Sequence, residues 1–356
     1  MENINTTFTI NGKIITEYVE QLLKIKVDSI QLIKAIGNNR VFKVETVTKR
    51  VYIVKHYFAG VTAKPSRLQV EFKALIFLWK QGFRCIAKPY MCDAEVGIAV
   101  HEYIDGSPAS ELPVSADDIR FMVSFLQRLR IVSKVADANK LPRAAEACFS
   151  LEEVLSNINM RLEQFNQLDG DSVVHQELRC HIEKKITPMV DKMAKSARKR
   201  WHALGYLSHD LIDSAELTLS PSDFGFHNAI RCSNGKLKLI DLEYFGWDDP
   251  AKTISDFLLH PAMELTKEQE VQFHLNALAV FNSETLVRRF NIYFPLFSLK
   301  WMFICLNEFL PDGRKRRLFS GLDESNIESH LRSQLNKAMI FMNKADYLEE
   351  NFPYDN

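Results

Sequence analysis

The run Leu219–Glu243, LSPSDFGFHNAIRCSNGKLKLIDLE, constrains this chain more than any other stretch. It reads as a polar loop, a short strand Ala229–Cys232, a Ser-Asn-Gly turn and a second strand Leu237–Asp241. Asn-Gly between two apolar runs is a strong hairpin signal, because both residues tolerate the positive φ that a tight turn requires. A tight hairpin brings its two ends together. Asp223 and Asn228 in the entering loop and Asp241 at the end of the exit strand should therefore face one small volume, with Glu243 just beyond. Carboxylates crowded in this way repel one another unless a cation stands among them. An all-oxygen donor set suits Mg²⁺, which keeps several waters and takes one or two carboxylates together with substrate phosphates.

Phosphoryl transfer of the kinase type uses such a set. An Asp accepts the proton of the attacking hydroxyl, and an Asn and a second Asp hold the metal on the nucleotide phosphates. Here D-x-x-x-x-N is Asp223 to Asn228, and Ile240-Asp241-Leu242-Glu243 stands where a metal-binding D-F-G would be. With the continuation Tyr244-Phe245-Gly246-Trp247-Asp248-Asp249-Pro250 and then Asp256-Phe257, the segment resembles the aminoglycoside phosphotransferase and choline kinase superfamily. The family has His-Gly immediately before the catalytic Asp, where this chain has Pro221-Ser222. The substitution bears on loop geometry and leaves the base and the metal ligands in place. Proline stiffens the loop through its fixed φ.

The resemblance implies an α+β, bilobal protein-kinase-like fold: a small antiparallel β-sheet N-lobe over residues 1–104 and a mainly α-helical C-lobe over residues 105–356. Three β-like segments, Ser29–Ile36, Val41–Val47 and Val51–Tyr57, form a meander, and the first turn holds Gly37 and Asn38, which would lie over nucleotide phosphates. In the third strand, VYIVKHY, alternation sets Lys55 on the same face as Ile53. A lysine inside an apolar strand reaches water or finds a partner. The helix expected over Pro65–Lys80 supplies one, because Glu71 falls within the apolar stripe of Leu68, Phe72 and Leu75. A buried carboxylate is costly unless paired. The Lys55–Glu71 pair would position the α- and β-phosphates, with Ile53 against the adenine. Two further strands, Lys88–Cys92 and Gly97–Tyr103, lead to a hinge whose backbone near Glu102 to Ile104 would meet the purine edge.

In the larger half, Ser115 and Asp118 cap a helix running to about Val132, and helices follow over Leu151–Phe165 and Gln176–Leu204, the latter kinked or broken at Pro188. The basic group Lys195, Arg198, Lys199 and Arg200 is a solvated helix face or an attractor of an anionic acceptor, and Gly313–Arg317 is a basic turn between helices, solvated as most such runs are, with phosphate binding as the lesser reading. Asp256, on a helix starting at Asp248-Asp249-Pro250, is implied to brace the catalytic loop through backbone hydrogen bonds.

The chain has 356 residues, with Lys plus Arg and Asp plus Glu equal at 45 each. That balance lends no support to binding a nucleic acid polymer. No apolar run reaches the ~20 residues a membrane span needs. The start MENINTTFTI has no signal-peptide pattern, and six scattered cysteines read as reduced thiols, so a cytoplasmic protein is expected. The function implied is ATP- and Mg²⁺-dependent transfer of the γ-phosphate to a hydroxyl of a sugar, amino sugar, aminoglycoside or amino alcohol. Asp223 would be the catalytic base. Lys55, Glu71, Gly37, Asn38, Ile53, Glu102 and Ile104 would serve the nucleotide, and Asn228, Asp241 and Glu243 the metal. The alternative is a catalytically silent pseudokinase that binds nucleotide or acts as a scaffold. Protein kinase activity is disfavoured by the lack of an A-P-E segment.

Overall fold

A computed structural model of the chain describes residues 12–34, 39–57, 66–319 and 323–351. Gly37, Asn38 and Pro65, three positions singled out above, lie outside the described residues.

The first part is a five-stranded antiparallel sheet of β1 (Val27–Lys34), β2 (Asn39–Thr46), β3 (Val51–Tyr57), β4 (Pro89–Asp93) and β5 (Ile98–Glu102), in the order β1-β2-β3-β5-β4. Helix α1 (Gly12–Leu23) packs on one face, where Ile15 and Val19 meet Phe42, Val44, Tyr52 and Val54. Helix α2 (Arg67–Lys80) carries Leu68 to Tyr57 and Ala99, while its Ala74, Leu75 and Leu78 join the larger core beyond the sheet. The helix starts two residues later than the proline pattern predicts. Ser66 and Gln69 form a reciprocal capping box that satisfies the first free N–H groups, and this fixes Arg67 as the first helical residue.

The second part is mainly helical: α3 (Ala116–Val132), α4 (Leu151–Glu163), α5 (Val173–His181), α6 (Thr187–Ala203), α7 (Pro250–Leu259), α8 (Lys267–Phe281), α9 (Glu284–Leu306), α10 (Pro311–Phe319) and α11 (Ile327–Glu350). Together the two parts form an α+β, bilobal, protein-kinase-like fold. Pro188 does not break its helix. The chain between α5 and α6 widens into a π turn over Ile182–Ile186, which accommodates the missing N–H of the proline. The basic run after Leu310 is helical in α10 and not a turn, because Pro311 sits in the first turn, where proline is tolerated. Arg198 pairs with Glu152, and Arg200 bonds the Asn291 carbonyl, so these two helix-face cations are held by the protein. None of the described helices is long and apolar enough to cross a membrane.

Small strands carry the central hairpin. β6 (Gly106–Pro108), β8 (Ala229–Cys232) and β9 (Leu237–Leu239) pair in the order β6-β8-β9, and β7 (Thr218–Ser220) pairs with β10 (Gly246–Asp248). Gly106 has to be glycine, since a Cβ there would stand 2.2 Å from the Arg231 carbonyl oxygen. Strand β9 ends at Leu239, earlier than its apolar pattern implies. The Ile240 N–H turns to the Asn228 carbonyl at 2.9 Å, and Asp241 adopts a left-handed φ of 65°. The hairpin is tied to the five-stranded sheet's side by the Leu239 N–H on the Cys85 carbonyl at 2.7 Å and by Lys238 on Glu102 at 2.8 Å.

Candidate active site

Strand β3 brings Lys55 inward, where the residue is only 6% exposed. Lys55 Nζ donates to Glu71 Oε2 at 2.7 Å and to Asp241 Oδ1 at 2.6 Å. A strand, a helix and the end of a hairpin thus meet on one ammonium, with Asp241 lying 186 residues beyond Lys55. Burial opposes the positive charge of Lys55, yet Asp241 and Glu71 outweigh it and hold its pKa well above the ordinary value. Glu71 is saturated: Tyr57 donates to its Oε2 at 2.5 Å, and the Leu242 N–H reaches its Oε1 at 3.2 Å.

Glu243 belongs to the same cluster, 3.6 Å from Lys55 and 3.5 Å from Arg67, and accepts from Asn39 Nδ2 at 2.7 Å. Carboxylate oxygens of Glu71, Asp241 and Glu243 all come within 4.8 Å of one another. The pKa of Asp241 is raised: burial comes first, Lys55 pulls the other way, and the charges of Glu71 and Asp223 add to the rise. Such a carboxyl is short of positive charge. The donor set therefore fits a divalent cation.

Asp223 sits in the loop before β8. Burial would raise its pKa, but the hydrogen bond from His227 at 2.9 Å and the nearby imidazole of His260 bring it down to about 2. It is an ionised acceptor at neutral pH. The rings of His227 and His260 stack at 3.6 Å between centroids. Gly225 makes room for this stack, since a Cβ there would lie 2.7 Å from His227 Nδ1. Asn228 Nδ2 donates to the Asp223 carbonyl at 3.1 Å; among the described residues its Oδ1 accepts no hydrogen bond.

The Pro221-Ser222 substitution keeps the turn. Ser222 takes φ 63°, the left-handed region a glycine enters without strain. Its hydroxyl accepts from Lys252 Nζ at 3.2 Å, and Thr253 donates to Ser220 Oγ at 2.8 Å. Lys252, fully buried, bridges Asp248 and Asp256 at 2.9 Å each. Asp256 therefore does not brace the loop through backbone bonds, as the resemblance implies. Its carboxylate takes Lys252, Lys300 and the Trp301 Nε1–H, and Lys252 and Thr253 make the loop contacts. The reason is the paired lysines on α7 and α9, which draw the carboxylate away from the loop.

The remaining predicted positions are partly placed. Ile53 is half-buried in β3, opposite His101. Ile104 is buried. The Glu102 N–H is bonded to the Lys88 carbonyl at 2.8 Å, so it cannot also donate to a purine edge. Asn39, Arg67, His227, Lys252 and His260 have no place in the sequence reading of the site. The run FGFHN after Asp223 is a local signal for His227, and the i, i+4 spacing of Asp248, Lys252 and Asp256 is one for Lys252; Asn39 begins β2, Arg67 begins α2 and His260 follows the end of α7, with no local pattern to mark them.

No family model matches this sequence, and no curated protein matches it significantly. Solved structures do match. A spectinomycin phosphotransferase in complex with ADP and spectinomycin aligns with a TM-score of 0.64 at 10% identity, over 94% of this chain and 99% of the other. A choline kinase of Streptococcus pneumoniae aligns at 0.59 with 20% identity, over 94% and 99%. A Plasmodium vivax ethanolamine kinase aligns at 0.58 with 14% identity, over 96% and 94%. The fold of this chain is the one shared by aminoglycoside phosphotransferases and choline and ethanolamine kinases.

Proposed function

We propose that the protein is a small-molecule kinase that transfers the γ-phosphate of ATP to a hydroxyl group. Residues 1–104 would grip the nucleotide and residues 105–356 would carry the catalytic hairpin and the acceptor site. The observation that supports this most strongly is the bond of one buried lysine, Lys55, to both Glu71 and Asp241. Kinases need that pair and that metal-binding Asp in place together. The nucleotides named in the complexes of proteins with the same fold, ADP among them, agree with it.

Asp223 would accept the proton of the attacking hydroxyl. That oxygen forms the new bond to the γ-phosphorus as the bond to the β,γ-bridging oxygen breaks. ADP leaves with the electron pair, and the proton passes from Asp223 to solvent. His227 keeps the Asp223 carboxylate ionised and aimed. Lys55, held by Glu71, would position the α- and β-phosphates. Asn228 and Asp241, with Glu243 beside them, would hold Mg²⁺, which when bound neutralises charge on the phosphates. Ordering of these groups before the reaction supplies most of the effect.

The test is nucleotide binding with Mg²⁺ by calorimetry, then ADP release against a panel of sugars, amino sugars, amino alcohols and aminoglycosides. Wild type should bind MgATP tightly enough to raise its melting temperature, and Asp223→Ala should bind it and turn over nothing. Absence of MgATP binding would sink the proposal. Binding without turnover on any acceptor would favour the silent module.

A further inference from the structure

Asp223 and Ser222 form one wall of a cavity of about 360 Å³ between the start of α2 and helices α7, α9 and α10. Its charged lining is mostly spoken for. Arg161 pairs with Glu146, Lys300 with Asp256, and Arg317 with Glu308. Three cations and three carboxylates cancel, so apart from Asp223 the wall has no carboxylate left to receive a cationic acceptor. Two guanidiniums remain. Arg316 is half-buried, and among the described residues it has no carboxylate partner, only the Asp312 carbonyl of its own helix at 3.3 Å. Among the described residues Arg67 pairs only with Glu243, at 3.5 Å, which Lys55 and Asn39 already share, and it lies over the Tyr244 ring. The two sense each other: burial first, then the charge of Arg67, pushes the Arg316 pKa below its ordinary value. Like charges turned into one partly enclosed space, neither of them paired to a carboxylate of its wall among the described residues, match a missing anion.

We infer that the acceptor is an anionic hydroxyl compound, its phosphate or carboxylate seated between Arg67 and Arg316 and its hydroxyl presented to Asp223. The inference rests on the kinase reading and narrows it: the substrate class shifts from amino alcohols and aminoglycosides to phosphorylated or carboxylated sugars and similar hydroxy anions. The transfer is unchanged in its balance, with the hydroxyl proton going to Asp223 and ADP leaving.

The experiment loads the full chain with Mg²⁺ and a non-hydrolysable ATP analogue, so that the γ-phosphate position is filled. Inorganic phosphate, sulfate, glucose 6-phosphate, glucuronate, glucose, glucosamine and choline are then titrated at constant ionic strength, reading melting temperature and heat. The anions should bind saturably, and the neutral and cationic compounds should not; comparison of glucose 6-phosphate with glucuronate separates a phosphate site from a carboxylate site. Arg316→Gln should weaken anion binding tenfold or more and leave the nucleotide analogue within twofold, while Arg316→Lys keeps part of the affinity. Arg314→Gln, exposed on the same helix, should change neither. The inference fails if no anion saturates, if Arg316→Gln binds anions as wild type does, if it weakens the nucleotide instead, or if choline or glucosamine is phosphorylated more efficiently than the anionic sugars. That last result leaves the kinase standing and removes only the anionic acceptor. A protein that does not bind the loaded nucleotide analogue at all overturns both.

Discussion

Around Lys55 three carboxylates, Glu71, Asp241 and Glu243, face one ammonium, with the Arg67 guanidinium 3.5 Å from Glu243. In the cavity beside Asp223, three cations pair with three carboxylates of the wall; among the described residues Arg316 pairs with no carboxylate, and Arg67 pairs only with Glu243, which is not part of that wall. One region is short of positive charge and the other of negative. Buried charge without a partner is expensive, so each imbalance marks where a ligand is expected to complete the pairing. The comparison also separates function from stability. The Asp248–Lys252–Asp256 triad is buried throughout, whereas the Asp241 carboxylate beside Lys55 is 36% exposed and open to a ligand.

The largest effect should come from the group between the two regions. Asp223→Asn keeps the shape and removes the acceptor for the hydroxyl proton, so turnover should fall by roughly 10²–10⁴-fold with nucleotide affinity retained, measured as steady-state ADP release. Next are the two lysines. Removing one partner of a buried ion pair costs about 3–5 kcal/mol, so Lys55→Met and Lys252→Met should both lower the unfolding free energy read from urea titration by that order. Millimolar Mg²⁺ should recover part of the loss in Lys55→Met and none in Lys252→Met. Equal responses would break the distinction between a cluster open to a cation and one closed within the fold.

A smaller effect follows from histidines buried in each part. Burial lowers the pKa of both His101, in the sheet, and His274, in α8, from 6.5 to about 4. Between those values the unfolded chain binds protons that the folded chain does not. Stability should therefore fall as pH drops from 6.5 towards 4 and level off below, with an upper limit of about 3 kcal/mol per histidine. His101→Leu and His274→Leu should each flatten the pH dependence of the urea midpoint over that window; a slope unchanged in both would refute the assignment. The smallest effect is at the loop. Ser222→Gly relieves a positive φ and loses the Lys252 hydrogen bond, so the two nearly offset, and the melting temperature should move by the equivalent of less than ~1 kcal/mol.

The legible parts of the site were those where a local pattern is violated at a cost. Glu71 stands out because a carboxylate interrupts an apolar stripe, and the strand lysine Lys55 follows as its partner. Asp223, Asn228 and Asp241 were found through spacing within one loop and hairpin. Asn39 was not, since its bond to Glu243 spans 204 residues and nothing about an Asn in a turn points there. The basic run Gly313–Arg317 is visible in the sequence, but Arg314 and Arg316 look alike there until α10 turns Arg316 into the cavity and Arg314 to solvent. Asp256 is turned from the loop by one lysine four residues away on α7 and another on α9, and only the second is remote in the sequence.

By itself the sequence determined the two-part architecture, the central hairpin and the lysine–glutamate pair, because hydrophobic periodicity, turn chemistry and the penalty on unpaired buried charge act over a few residues. Which charges cancel and which remain was decided only by the tertiary structure. Coulomb pairing depends on distance in space, and the groups that settle it here come from helices and loops far apart along the chain.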